Sequence, residues 1–275
     1  MRIRTLFPGT FDEICNLLYD TLMASWATKR KLTYFSIAAL GVIIFLGLPT
    51  FFVVYEPPSC IDSKQNQGEL GTDCGGPCSR LCNSQFFQPI VLWARSASVV
   101  KGVYNVVAYV ENNNLDGAAK QVPYRFKLYD AGGVLIRERT GRVDIPPHKS
   151  VAVFEDGVVT SERVPNRVTF EFIAPPQWYR TASVDRGIVI SDKILENESS
   201  APRLRAVVEN KLALSIGKTT FVAILYDVDD NAISFSKTEL DGLASGAVSD
   251  IVFTWPQPFS KKAYRIDIIP TVKLK

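Results

Sequence analysis

The chain has 275 residues, 47% of them hydrophobic and 21% charged, a balance ordinary for folded protein with one membrane segment. Five of the 31 basic and three of the 28 acidic residues precede residue 32, so the remainder carries 26 against 25 and is nearly neutral. That neutrality excludes the concentrated basic face selected by phosphate backbones, and with it nucleic acid as a partner.

Residues 1–31 form a short tail, too small for a catalytic domain, which needs about 50 residues. Thr10 and Glu13 have the spacing of a capping box. Phe11, Ile14, Cys15, Leu18, Leu22 and Trp26 then recur at helical spacing as one apolar stripe. The membrane interface or a partner helix would cover it, unless it simply extends the next helix inward.

Leu32 to Tyr55, LTYFSIAALGVIIFLGLPTFFVVY, contains no charged side chain. At about 1.5 Å per residue it spans roughly 36 Å, which predicts a transmembrane helix at residues 32–55. Cleaved signal sequences have shorter apolar regions of about 7 to 15 residues, so an uncleaved anchor is expected. Pro49 removes a backbone donor and is expected to kink or end the helix near the far leaflet. Lys29, Arg30 and Lys31 abut the N-terminal end, whereas Lys64 is the single basic residue in the first 20 beyond it. Basic flanks stay in the cytoplasm, so the expected arrangement is a signal-anchor in the cell membrane, single-pass, with the C-terminal region extracytoplasmic.

Residues 56–87 contain Cys60, Cys74, Cys78 and Cys82. Four cysteines so close together on the exported side predict two disulfides, with three connectivities open. Zinc would want paired Cys-x-x-Cys or histidine ligands, and the spacings of thirteen, three and three do not provide them. The pattern Cys60-x-Asp62-x-x-x-Asn66-Gln67-x-Glu69-x-Gly71-x-Asp73-Cys74-Gly75-Gly76-Pro77-Cys78 resembles a small cysteine-rich module of exported bacterial proteins. That resemblance implies a surface-exposed spacer. Asp62, Asn66, Glu69 and Asp73 are oxygen donors of the kind calcium takes, but they lack EF-hand spacing and read better as turn residues.

From residue 88 the chain repeats itself. Ile90-Val91-Leu92 corresponds to Ile188-Val189-Ile190, and Ala108 to Asn112 corresponds to Ala206 to Asn210, both at an offset of 98. Leu128-Tyr129-Asp130 matches Leu225-Tyr226-Asp227 at 97, and Val153-Phe154 matches Val252-Phe253 at 99. Two separate domains are expected, at 88–184 and 185–275, each with its own core. Short runs rich in valine, isoleucine, tyrosine and phenylalanine, alternating as in Val168 to Phe172, predict an all-β fold. About seven strands per unit suggest two tandem immunoglobulin-like β-sandwiches after the N-terminal transmembrane helix. Phe126-Lys127-Leu128-Tyr129-Asp130 resembles the signature of FxLYD-type domains of exported and membrane-attached bacterial proteins, although the second copy has Ala223 where the phenylalanine would stand. Phe126, Leu128 and Leu225 read as inward-facing strand residues, with the aspartate opening a turn.

Catalytic residues are not expected. The one histidine, His148, sits in a Pro146-Pro147-His148-Lys149 turn, and no serine elbow, phosphate-cradling loop or dinucleotide fingerprint accompanies it. No cofactor and no resident metal are implied. Candidate partner contacts are aromatics in proline-rich segments, Trp178 with Tyr179 and Trp255 with Phe259, the equal alternative being tryptophans buried where they close the end of a sandwich. The expected function is extracytoplasmic binding or scaffolding of other envelope or surface proteins. The rivals are a subunit of a cell-envelope assembly or secretion complex and, behind it, an enzyme.

Overall fold

The computed structural model describes residues 26–55, 59–181, 187–272 and 274. The stripe from Phe11 to Leu22, including Cys15, and the expected domain boundary near residues 182–186 lie outside the described residues.

An α-helix at Trp26–Val42 continues through a π-helical turn at Ile43–Gly47 into a second α segment at Leu48–Val54. It is one helix long and apolar enough to cross a membrane. None of its residues from Trp26 to Gly47 is buried. Lys29, Arg30 and Lys31 lie inside the helix rather than before it, and Arg30 stacks over the Trp26 ring at 4.3 Å. Pro49 does not end the helix, which continues to Val54; of the two expected outcomes, a local disturbance is the one that occurs. Its ring removes a donor and crowds the preceding turn, and that turn is the one with the wider π geometry. Thr50 Oγ1 then donates to the carbonyls of Leu46 (2.6 Å) and Gly47 (3.0 Å), which gives carbonyls of the disturbed turn a donor.

Ser59 to Lys275 forms one compact unit. Its first strands are β1 (Ile90–Val100), β2 (Val103–Asn112), β3 (Gly117–Tyr129), β4 (Leu135–Ile145), β5 (Lys149–Val159), β6 (Arg167–Phe172) and β7 (Trp178–Arg180). They make an antiparallel sheet ordered β1-β2-β5 and another ordered β4-β3-β6, with β7 also paired to β3. The following strands are β8 (Ile188–Glu196), β9 (Arg203–Asn210), β10 (Thr219–Tyr226), β11 (Ala232–Leu240), β12 (Val248–Thr254) and β13 (Arg265–Val272). Their sheets are ordered β8-β9-β12 and β11-β10-β13, the same arrangement as in the first set. The chain is all-β after the helix, as the alternation predicts.

Strand alternation fixes two cores. Val106, Ala108 and Val110 of β2 face Tyr124, Phe126 and Leu128 of β3 in the first, while Leu204, Ala206 and Val208 of β9 face Phe221, Ala223 and Leu225 of β10 in the second. The ladders correct one expected equivalence. Val153 lies opposite Ala108, and Ile251 lies opposite Ala206. Val153 therefore corresponds to Ile251 at an offset of 98, because the match to Val252 at 99 would turn every side chain of the strand to the wrong face.

A third buried layer joins the two sandwiches, so their apolar packing is not confined to two separate cores. Trp93 and Ala97 of β1, Val107 and Tyr109 of β2, and Ala152 and Phe154 of β5 point away from the first core. They meet Val222, Ile224 and Tyr226 of β10, Ala232 and Phe235 of β11, and Ile269 of β13. Trp93 stacks on Tyr109 (5.5 Å between centroids) and on Phe235 (6.2 Å). Four sheets thus stack face to face. β10 is covered on both sides, which is why Phe221 to Tyr226 is continuously apolar where β3 alternates.

Candidate functional site

The cysteine-rich segment pairs Cys60 with Cys78 and Cys74 with Cys82, with Cα atoms 5.7 and 5.0 Å apart. The carboxylates considered as cation ligands are committed to the chain itself. Asp62 accepts from the Ser59 and Lys64 N–H groups and from Asn66 Nδ2, at 2.8 to 3.1 Å. These bonds, that from Asn66 foremost, hold its carboxyl below the usual carboxylate range. Asp73 accepts from the Ser63 N–H through both oxygens, and Glu69 Oε2 accepts from the Asn66 and Asp73 N–H groups. Gly75 and Gly76 both take positive φ, and a Cβ on Gly76 would lie 2.2 Å from the Gly68 carbonyl oxygen. The Asp-Cys-Gly-Gly-Pro-Cys pattern is thus a set of turn requirements. Glu69 lies with Cys60 and Cys78 in a cluster of potential metal donors, yet both sulfurs are spent in the disulfide, and a thiolate is the sulfur form that ligates metal.

This segment is docked on the first sandwich rather than dangling as a spacer. The Leu81 N–H donates to the Trp178 carbonyl (2.7 Å), the Arg180 N–H donates to the Ser79 carbonyl (3.0 Å), and Leu81 enters the first core. The position of Trp178 follows from the same packing. It is fully buried, with Phe86 stacked at 5.9 Å, so it is a core residue and is withdrawn from the candidate contacts. Tyr179 beside it is half-buried, bridged to Arg80, and donates its hydroxyl to Gln177 Oε1. Trp255 is likewise buried. Its Nε1 donates to the Phe235 carbonyl (3.2 Å), and Phe259 packs edge-on against its ring at 5.2 Å. Of the two readings open for tryptophans in proline-rich segments, exposed contact or buried closure of a sandwich, burial holds for both. Tyr179 and Phe259 keep partial exposure.

His148 is exposed in its turn with φ +50°, its N–H donating to the Asn114 carbonyl. Asp229 and Asp230 sit at the β10–β11 hairpin tip, as turn residues.

The Leu-Tyr-Asp triplets do corresponding work in both sandwiches. Leu128 and Leu225 are core. Tyr129 lies under the Arg167 guanidinium at 4.7 Å, and Tyr226 under that of Arg265 at 3.7 Å. Burial, with the charge of Asp267 next, pushes the Tyr226 hydroxyl up to about 12. Asp130 accepts from the Val134 N–H and pairs with Arg163 at 3.6 Å. Asp227 accepts from the Asp229 and Asn231 N–H groups and from Lys261 Nζ at 2.6 Å. The Lys261 bond foremost holds the Asp227 carboxyl below its ordinary value. Each aspartate therefore ties a hairpin tip to a later loop of its sandwich, the one before β6 in the first and the one before β13 in the second.

Two buried asparagines, which the sequence reading did not single out, perform a parallel task. Asn112 Nδ2 donates to the Gly117 and Pro146 carbonyls, and Asn210 Nδ2 reaches those of Leu214, Leu243 and Ala244. The signal was present in the repeated Glu-Asn pairs, where a polar residue closes an apolar strand in both copies.

The outer faces of the stack carry charged side chains. On the first sandwich, Lys127 pairs with Glu171 at 2.9 Å and Arg125 with Glu138 at 3.2 Å, in place of the apolar residues that β10 presents to the joint.

No family model matches the chain, and no curated protein matches it. Among solved structures, 69% of the chain is similar to 32% of red sea bream transglutaminase, at 11% identity and a TM-score of 0.23. Similar segments occur in a β-glucuronidase of Bacteroides uniformis (64% of this chain, 22% of that one, 13% identity, TM-score 0.19) and an exo-chitosanase of Amycolatopsis orientalis (62%, 25%, 11%, TM-score 0.18). The chain spans about a third or less of these proteins, and TM-scores this low do not define a shared fold.

Proposed function

We propose that the chain is a single-pass membrane protein with a cytoplasmic N-terminus, which displays two immunoglobulin-like sandwiches as a rigid extracytoplasmic stack and works by binding or scaffolding envelope or surface proteins. The observation that carries the reading is the combination of an unburied apolar helix with a disulfide-braced β unit, an association suited to an oxidising exterior. The basic cluster at Lys29 to Lys31 favours the orientation. The matching strand orders and the paired roles of Asn112 and Asn210, and of Asp130 and Asp227, favour tandem duplication of an FxLYD-type unit. A prejoined stack presents two outer faces at a fixed separation, so two weak contacts on one partner reinforce each other.

Protease added to intact cells tests the topology, with digestion of the sandwiches and protection of the tail expected. Crosslinking in cells tests the binding. Reversing the charges of Arg125 and Lys127 on the outer face should lower partner recovery while the isolated protein stays folded. Unchanged recovery from that variant and from a Tyr179 and Phe259 double variant would reject binding through these surfaces.

A further inference from the structure

Three large apolar side chains are held in water by backbone that cannot retract them. Leu70, Phe87 and Leu115 are 62%, 75% and 73% exposed, and together they line one shallow groove of about 400 Å³ floored by Leu81 and Phe86. Phe87 is clamped by the buried Asn114, which accepts from its N–H (2.9 Å) and donates to its carbonyl (2.8 Å). Leu70 sits in the disulfide-closed hairpin, its N–H donating to the Cys74 carbonyl at 3.1 Å. Leu115 is fixed between Asn114 and Asp116, and Asp116 is paired with Arg180 at the rim. A contiguous apolar surface pinned outward in this way marks an interaction site.

We propose that this groove is a bilayer-contact surface, its three apolar side chains inserting at the boundary between lipid headgroups and acyl chains. The inference rests on the reading of the apolar helix as a membrane anchor. The length of the chain selects lipid as occupant. Only residues 56–58 separate Tyr55 from Ser59, and four Cα steps of 3.8 Å reach at most about 15 Å. Cys60 is bridged to Cys78, at 5.7 Å between Cα atoms, and Cys78 is three residues from the groove-lining Leu81. The covalent path from the end of the helix to the groove is therefore at most about 36 Å, short enough to let the groove reach the bilayer surface. Its chemistry also fits, since aliphatic and phenyl tips partition into the interface and the arginine at the rim suits lipid phosphate. Such contact would set the angle at which the sandwich stack leaves the membrane.

The test uses the full-length protein with Cys15→Ser, reconstituted into phosphatidylcholine vesicles. Single nitroxide labels are introduced through Phe87→Cys and Leu115→Cys, through Leu214→Cys as a control of equal exposure on the second sandwich, and through Phe45→Cys in the helix. Accessibility to oxygen and to a water-soluble nickel complex is then compared. Labels at 45, 87 and 115 should favour oxygen, with a several-fold loss of nickel accessibility relative to the label at 214. Nickel accessibility at 87 and 115 equal to that at 214, with 45 still shielded, overturns the lipid contact and leaves the anchor standing. Shielding of 87 and 115 from both reagents means that protein, such as a second copy, covers the groove, and also overturns it. Nickel accessibility at 45 with loss of flotation overturns the anchor and the lipid contact together.

Discussion

Replacing Asn210 by alanine tests whether the buried asparagines hold the loops of each sandwich. Asn210 is fully buried, and its Oδ1 accepts from the Leu212 N–H at 3.0 Å while its Nδ2 lies 3.0 Å from the carbonyls of Leu214, Leu243 and Ala244. The consequences of truncation differ among these groups. The Leu243 and Ala244 carbonyls each keep a backbone donor, from Ile216 and Ala247. The Leu212 N–H and the Leu214 carbonyl keep no other hydrogen-bond partner among the described residues. Two orphaned groups at about 1–3 kcal/mol each, partly relieved by water near the exposed Leu214, give a loss of about 3 kcal/mol. With a urea m-value near 3 kcal/mol/M for a unit of this size, the midpoint should fall by about 1 M. The assay is urea unfolding of residues 59–275, followed by tryptophan fluorescence. Asn210→Asp is the control, because it keeps the shape but sets a carboxylate against three carbonyl oxygens. Its folded pKa is then raised above the unfolded value of about 3.9, so its destabilisation is present at neutral pH and is relieved as pH falls through the raised value. A midpoint for Asn210→Ala within 0.3 M of the parent, on the same m-value, would refute the reasoning.

Ile224→Asp buries a carboxylate in the layer between the sandwiches, where Ile224 has no exposure, and should split a single unfolding transition into two; calorimetry that still shows one transition at an unchanged temperature would reject the shared layer. Lys261→Ala removes the leading cause of the lowered Asp227 carboxyl. A depressed carboxylate contributes stability above its unfolded value of about 3.9 and loses it as pH falls through the folded value, so parent and variant should differ at pH 7 and converge well below pH 4; a difference persisting undiminished into acid would contradict the assignment. Arg125→Val with Lys127→Ile gives the first sandwich the residues that β10 carries at the joint, and should raise self-association above that of the parent by sedimentation; an unchanged sedimentation profile would reject the role given to these charges.

The parts of the fold legible in the sequence are those with a local cause. A long uncharged run needs only its composition to be read as a spanning helix, and Val168 to Phe172 needs only its alternation to be read as a strand. The four clustered cysteines announced disulfides, but their pairing depended on two glycines at positive φ that fold the segment back on itself. Burial of Trp178 was legible only as one of two alternatives, because it depends on residues 79–86 returning across β7 to cover the ring, a contact between segments far apart in sequence. The joint did have a local sign. Phe221 to Tyr226 is apolar at every position, the mark of a strand covered on both faces, whereas Tyr124 to Tyr129 alternates. Ala223, where the phenylalanine of the signature is missing, packs in the second core as its position requires.

On the proposed duplication, that contrast is also what limits the stack to two. A sandwich whose outer sheet is apolar can be stacked upon, and a unit carrying such a sheet could in principle stack without end. At the positions where the second sandwich has Val222 and Ile224, the first has Arg125 and Lys127, each paired with a glutamate. Exposed pairs of this kind add little stability, about 0–1 kcal/mol each. Their effect is on association, since docking another sheet there would bury four charged side chains. The far sheet of the second sandwich carries Arg205 and Glu209 on β9, where the corresponding positions of β2 are Val107 and Glu111. The valine that reaches the joint from β2 has thus become an arginine on β9. Charge on both outer faces confines apolar stacking to the single joint between the sandwiches, and leaves polar surfaces whose contacts with other proteins are set by charge complementarity rather than by the hydrophobic packing that holds the stack together.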